Sequence, residues 1–185
     1  MLPKRIVITG APGTGKTSIV KKLETSGYYC YHEIIRDMTA EAKQVESTQK
    51  QVSNPLVFVD DPMAFNNALL NGRKAHFDDS LSIQEAICFF DRGMPDVLAY
   101  MDYFNQKYPT SFETICHEKR YDHIFILPPW KSIYTSDNER LESFAEAEEL
   151  HHNLSETYKR FGYDPILVPK ASVDERMLFV LNTIQ

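Results

Sequence analysis

The chain has 185 residues, 43% of them hydrophobic and 25% charged, a length and balance that suit one globular domain with a sizeable core. A net charge of −6 without a basic stripe of interleaved aromatics argues against general nucleic-acid binding, and no apolar stretch approaches the ~20 residues of a membrane span. The N-terminus runs straight into an apolar strand with no signal-peptide core, and Cys30, Cys88 and Cys116 are odd in number and far apart; both features predict a reduced cytoplasmic protein in which Cys30 and Cys88 are packing residues.

The first predicted element is a buried strand over residues 5–9, Arg-Ile-Val-Ile-Thr. Gly10-Ala11-Pro12-Gly13-Thr14-Gly15-Lys16-Thr17 follows and matches the phosphate-binding pattern G-x-x-x-x-G-K-[ST], with Ser18 next to it in the first turn of a helix over 16–25. Glycines let backbone N–H groups curl around phosphate oxygens, Lys16 reaches the β- and γ-phosphates, and the Thr17 hydroxyl suits Mg²⁺. Ile19, Val20 and Leu23 give that helix one apolar face, so its N-terminus is aimed at the anion.

A short aromatic strand is expected over 28–32, a helix over 33–44, a polar loop over 46–54, and a helix over 55–73 with Asp61-Pro62 as a start and Gly72 near its end. Residues 86–91, Ala-Ile-Cys-Phe-Phe-Asp, read as a buried parallel strand, and 122–127 as another, stopped by Pro128-Pro129. Helices are expected over 95–103, 112–119, 140–160 and 173–184, with a last strand over 165–168. Strands alternating with helices predict an α/β fold with a parallel sheet covered on both faces. The expected organisation is a single domain over 1–185, with a helical insertion at about 33–83 and a lid at about 130–142.

Ligands of such sheets bind at the carboxyl ends of the strands, so residues just after strands are the candidates for chemistry. Asp91-Arg92-Gly93 ends the third strand: Asp91 can contact Mg²⁺ through water or accept a proton, and Arg92 can neutralise phosphate charge. Glu33 and Arg36 open the helix after the second strand on one face, where Glu33 can act as general base toward a substrate hydroxyl. Lys131 and Arg140 lie in the lid segment, which can bring a cation over the transferred phosphoryl group. His32, His76, His117, His123, His151 and His152 have no metal-ligand spacing. Tyr28, Tyr29, Phe65 and Tyr103 are candidates for lining an acceptor pocket.

With the loop, Glu33-Ile34-Ile35-Arg36, Phe89-Phe90-Asp91-Arg92-Gly93, Leu127-Pro128-Pro129-Trp130 and Asp137-Asn138-Glu139-Arg140, nearly the whole chain resembles a family of AAA-type predicted ATPases. These are relatives of the kinase-like domain of NadR proteins and of the nucleotide-binding domain of the fly TRPL translocation defect protein. The resemblance implies a P-loop NTPase of three αβα layers, nucleoside- or nucleotide-kinase-like, with five parallel strands ordered 2-3-1-4-5. It implies no particular substrate. By similarity to deoxynucleoside kinases, Glu33 takes the place of their base and Asp91-Arg92 that of their Glu-Arg pair; thymidylate kinases carry an Asp-Arg pair in a similar place. Pro169-Lys170-Ala171-Ser172 looks like the base-contacting loop of this fold. The Asn-Lys-x-Asp guanine-reading element is missing from the end of the fourth strand, which favours ATP over GTP.

The reading is therefore an ATP-binding protein, GTP being the second choice, that uses Mg²⁺ held at Thr17 and Asp91 and transfers a phosphoryl group to a small acceptor. Lys16, Glu33, Asp91, Arg92 and Arg140 are the catalytic candidates, and residues 10–18 hold the nucleotide. The base is either Glu33 or Asp91. The alternative is a nucleotide-dependent switch with slow hydrolysis and a protein or lipid partner; a homo-oligomer is compatible with either.

Overall fold

The computed structural model describes residues 2–35, 61–134 and 143–184. Lys4–Gly10 forms β1, Tyr29–Tyr31 β2, Ile87–Asp91 β3, His123–Leu127 β4 and Ile166–Leu167 β5. All pair in parallel in the order β2-β3-β1-β4-β5, the expected one. β1 lies between β3 and β4, with Ile8 level with Asp91 and Gly10 level with Leu127. The central strands are short runs of β-branched and aromatic residues, as a sheet covered on both faces requires.

Alternation along the strands divides the core in two. Val7, Cys88, Phe90 and Ile124 face one layer, where they meet α2 (Pro62–Asp79), α3 (Met94–Tyr103), α4 (Thr110–Glu118) and the end of α5 (Phe144–Arg160). Ile6, Ile8, Phe89 and Phe125 face the other, against α1 (Lys16–Thr25) and α6 (Val173–Thr183). The result is a three-layer αβα fold. Cys88 and Cys116 are buried, Cys30 is half-buried, and none is in a disulfide.

Two helices differ from the sequence expectation by more than two residues at an end. α2 begins at Pro62, where the Asp61 carboxylate accepts from the Ala64 N–H at 3.0 Å, but it continues through Gly72 to Asp79. Gly72 is not a stop signal; a Cβ there would stand 2.8 Å from Ile34 Cδ1, so the glycine lets the segment after β2 approach the helix. α5 begins at Phe144 rather than 140, because Ser143 and Glu146 form a reciprocal capping box. Of the expected helix over 33–44, helical backbone is described at Ile34 and Ile35; Arg36 and the loop over 46–54 lie outside the described residues. Of the expected lid, Trp130 to Tyr134 forms a turn, while Arg140 and residues 135–142 as a whole lie outside them.

Candidate functional site

The loop between β1 and α1 is built for close approach. Gly10 has φ +148° and a Cβ there would stand 2.7 Å from the Leu127 carbonyl oxygen; Gly15 has φ +86° and opens α1. No side chain caps the N-terminus of α1 and its first turn holds no acidic residue, whereas α3, α5 and α6 each carry a carboxylate in the first turn. Among the described residues, the positive end of this helix thus has neither a side-chain cap nor a first-turn carboxylate against it. Lys16 is buried and folds back, its Nζ donating to the carbonyls of Gly10 at 2.8 Å and Ala11 at 2.9 Å. Burial, reinforced by repulsion from Arg92, pushes its pKa down to about 7 against the pull of Asp91, Glu33 and Asp96. Thr17 is half-buried and Ser18 is exposed in the same turn.

Around the ends of β2 and β3 lies a closed set of ion pairs. The Glu33 carboxylate receives Arg92 Nε at 2.6 Å on one oxygen and an Arg73 terminal nitrogen at 3.0 Å on the other. Arg73, from α2, also donates to the Gly93 carbonyl at 3.0 Å. Arg92 reaches Asp96 at 3.1 Å, and its guanidinium lies over the Tyr100 ring at 5.2 Å. Asp96 has no exposed surface and accepts from Thr9, Arg92, the Gly93 N–H and Tyr158. Burial alone would raise its pKa; Arg92, Arg73 and the two hydroxyls more than reverse this and hold it below the ordinary carboxylate range. Arg92 has φ 76°, unusual for a residue with a side chain, and the pairs to Glu33 and Asp96 hold it there.

Lys16, Glu33, Asp91 and Arg92 are thus brought together at the carboxyl edge of the sheet, with charges close enough to act on one another. Tyr28 packs edge-on to Phe89, Tyr29 tilts against Tyr31, and Phe65 packs on the α2 side of the core. Tyr103 stands beside Ala11, Ala147 and Leu150, next to the loop. Lys131 is exposed. Sequence reasoning missed Arg73, Asp96, Thr9, Tyr158 and Arg176. A charged residue at an apolar helix position was the available signal: Arg73 shares the buried face of Leu69, Leu70 and Phe77, and Arg176 that of Val180. Asp96 follows Pro95 in a helix's first turn, which marks a capping carboxylate.

Among the described residues no trio of His, Cys, Asp and Glu side chains could hold a metal alone. Mg²⁺ needs no such cage, since one hydroxyl and one carboxylate shared with phosphate oxygens suffice, and Thr17 and Asp91 are oxygen donors of that kind.

Comparison with known proteins agrees with this architecture. A nucleotide-binding protein of Aliivibrio salmonicida is 35% identical over 79 residues, which is 40% of this chain and 27% of that protein, so the chain spans about a quarter of that relative's length. Among solved structures, NadR protein in complex with NR superposes with a TM-score of 0.71 at 17% identity, covering 99% of this chain and 51% of that one. Deoxyadenosine kinase from M. mycoides with bound dATP gives a TM-score of 0.61 at 17% identity, covering 97% and 98%. Thymidylate kinase from Candida albicans gives 0.68 at 15% identity, covering 98% and 91%. At these identities the likeness is one of fold, a P-loop nucleoside- or nucleotide-kinase-like fold. The fold shared with NadR protein is that of P-loop NTPases; a family model described as an AAA domain matches residues 5–176, and the chain belongs to that family.

Proposed function

We propose that the protein is a small-molecule kinase that transfers the γ-phosphoryl group of ATP, or less favourably GTP, to a hydroxyl- or phosphate-bearing acceptor of nucleoside or nucleotide type. The observation that carries this reading is the convergence of Lys16 with Glu33, Asp91 and Arg92 at one sheet edge. Residues 10–18 hold the triphosphate, and Lys16 exchanges its two loop carbonyls for β- and γ-phosphate oxygens. Thr17 and Asp91 would hold Mg²⁺, which neutralises charge on the phosphates. Asp91 suits the metal because it ends β3 level with Ile8, beside the root of the loop, while Glu33 follows the edge strand β2 and suits the acceptor. As the acceptor oxygen bonds to the γ-phosphorus and the bond to ADP breaks, Glu33 takes the acceptor's proton. Arg92, and Arg140 from the lid, stabilise the transferred charge.

The nucleotide switch remains the second reading, because Arg92 is held by Glu33 and Asp96, an arrangement that ligand binding could release. ADP release from Mg-ATP, alone and against nucleosides, nucleotides and small hydroxylated metabolites, separates the two. A kinase shows turnover stimulated by one acceptor class and abolished by Lys16→Ala. Nucleotide binding with no stimulated turnover refutes it in favour of the switch.

A further inference from the structure

Arg176, in the first turns of α6, reaches across to the phosphate-binding loop. The residue is 5% exposed, and its guanidinium donates to the Thr14 carbonyl at 3.0 Å, with its two terminal nitrogens 3.0 and 3.2 Å from where a Cβ on Gly15 would stand. The Trp130 ring lies beside it, 5.9 Å from centroid to guanidinium carbon. Among the described residues its buried Nε has no hydrogen-bond partner and no carboxylate pairs with it; Asp174 pairs with Lys22 and Glu175 caps α6 at Ser172. The other arginines near the site, Arg73 and Arg92, each have Glu33 within 3.0 Å.

The location makes the missing counter-charge informative. Gly15 opens α1, so Arg176 stands at the positive end of a helix that repels a cation. Lys16 is buried in the same place. Lys16 has Asp91, Glu33 and Asp96 acting on it, whereas Arg176 and the uncapped helix N-terminus meet no carboxylate among the described residues, and a polyanion entering there would supply the counter-charge.

We propose that Arg176 is a phosphate-binding residue of the nucleotide site, a second cation beside Lys16 that lies outside the loop motif and pairs with the phosphate chain. This rests on the loop binding a nucleotide. With five donors and one taken by Thr14, the guanidinium can keep the loop tethered while donating to a phosphate oxygen. The alternative is a purely structural tether between α6 and the loop.

The test compares wild type with Arg176→Gln, Arg176→Lys and Arg176→Met for binding of Mg-ATP and of inorganic tripolyphosphate by calorimetry, with the melting temperature of each unliganded protein. Trp130 is the single tryptophan of the chain, so its fluorescence gives a second reading of occupancy. Glutamine can still donate to Thr14 but carries no charge, which isolates the cation from the tether. The expected result is a loss of about 10- to 100-fold in affinity for both ligands in Arg176→Gln, with partial recovery in Arg176→Lys and an unchanged unliganded melting temperature in both. Arg176→Gln binding both ligands within about twofold of wild type overturns the proposal, whatever Arg176→Met does to folding. A wild type that binds neither ligand refutes the nucleotide reading itself, and the proposal with it.

Discussion

Asp96→Asn is the sharpest test of how the site is held together. In the native protein one Asp96 oxygen accepts from Thr9 and Arg92 and the other from the Gly93 N–H and Tyr158. An asparagine of the same shape turns one oxygen into a donor. If the amide nitrogen faces Gly93 and Tyr158, the tyrosine hydroxyl can rotate to accept but the Gly93 N–H meets a donor. If it faces Thr9 and Arg92, the threonine can rotate but the guanidinium meets a donor. Either orientation leaves a buried donor opposed, and both remove the charge that balances Arg92. Breaking one side of such a buried pair costs about 3 to 5 kcal/mol. With a urea dependence of about 2 kcal/mol per molar, the unfolding midpoint should fall by roughly 2 M. Thr9→Val, which removes one donor and leaves Asp96 three, should cost about 1 kcal/mol. Because the Asp96 pKa is held low in the folded state, its contribution is full above the ordinary carboxylate pKa of about 3.9 and is lost as pH falls through the folded value. The gap between wild type and Asp96→Asn should therefore narrow in acid. A variant within about 1 kcal/mol of wild type at pH 7, or a gap that widens in acid, refutes the reasoning.

Other outcomes follow from the same geometry. Lys16 has its pKa lowered to about 7 by burial, and phosphate oxygens would raise it, so nucleotide binding should take up a proton and weaken as pH rises above 7; calorimetry in buffers of different ionisation enthalpy detects the uptake, and pH-independent affinity with no proton uptake contradicts it. Glu33→Gln should lower kcat by about 10²- to 10⁴-fold while the ATP Kd changes only a few-fold; unchanged kcat removes Glu33 as the base. Gly10→Ala forces a side chain to within 2.7 Å of a backbone oxygen at a φ of +148°, and should cost about 2 kcal/mol or more and abolish nucleotide binding; a variant that melts and binds like wild type contradicts the loop geometry. Burial pushes the thiols of Cys30, Cys88 and Cys116 up to about 12, so a thiol reagent at pH 8 should label the native protein slowly and all three cysteines rapidly in urea; rapid native labelling of two of them refutes this.

Because Arg92 sits at φ 76°, the Asp-Arg-Gly turn depends on contacts from three directions. Glu33 comes from the segment after β2, Asp96 from α3, and the Arg92 N–H donates to the Ile8 carbonyl of β1 at 3.1 Å. The residue expected to stabilise transferred charge is thus positioned by the same carboxylate proposed as the base. Arg73 ties both to α2. Changes at any of these residues should be strongly non-additive, since removing one leaves the others buried without balance.

The local sequence carried what is local in physics. The glycine-rich loop was legible because its pattern occupies eight consecutive residues between a strand and a helix, and β1, β3 and β4 were legible because short apolar runs bounded by polar or breaking residues suit buried parallel strands. Gly72 misled as a helix stop because its reason is the approach of Ile34, a contact made across the fold. The start of α5 needed the Ser143 and Glu146 cap, a spacing present in the sequence but overshadowed by the charged run before it. The sheet order and the helices packed on it put Glu33 beside Arg73, 40 residues away, and set Arg176 against Thr14, 162 residues away. No window along the chain contains such a pair. The sequence specifies which charged groups are available, while only the pairing of β2 with β3 and the packing of the helices on the sheet determine which charges meet and which cation, among the described residues, has no carboxylate beside it.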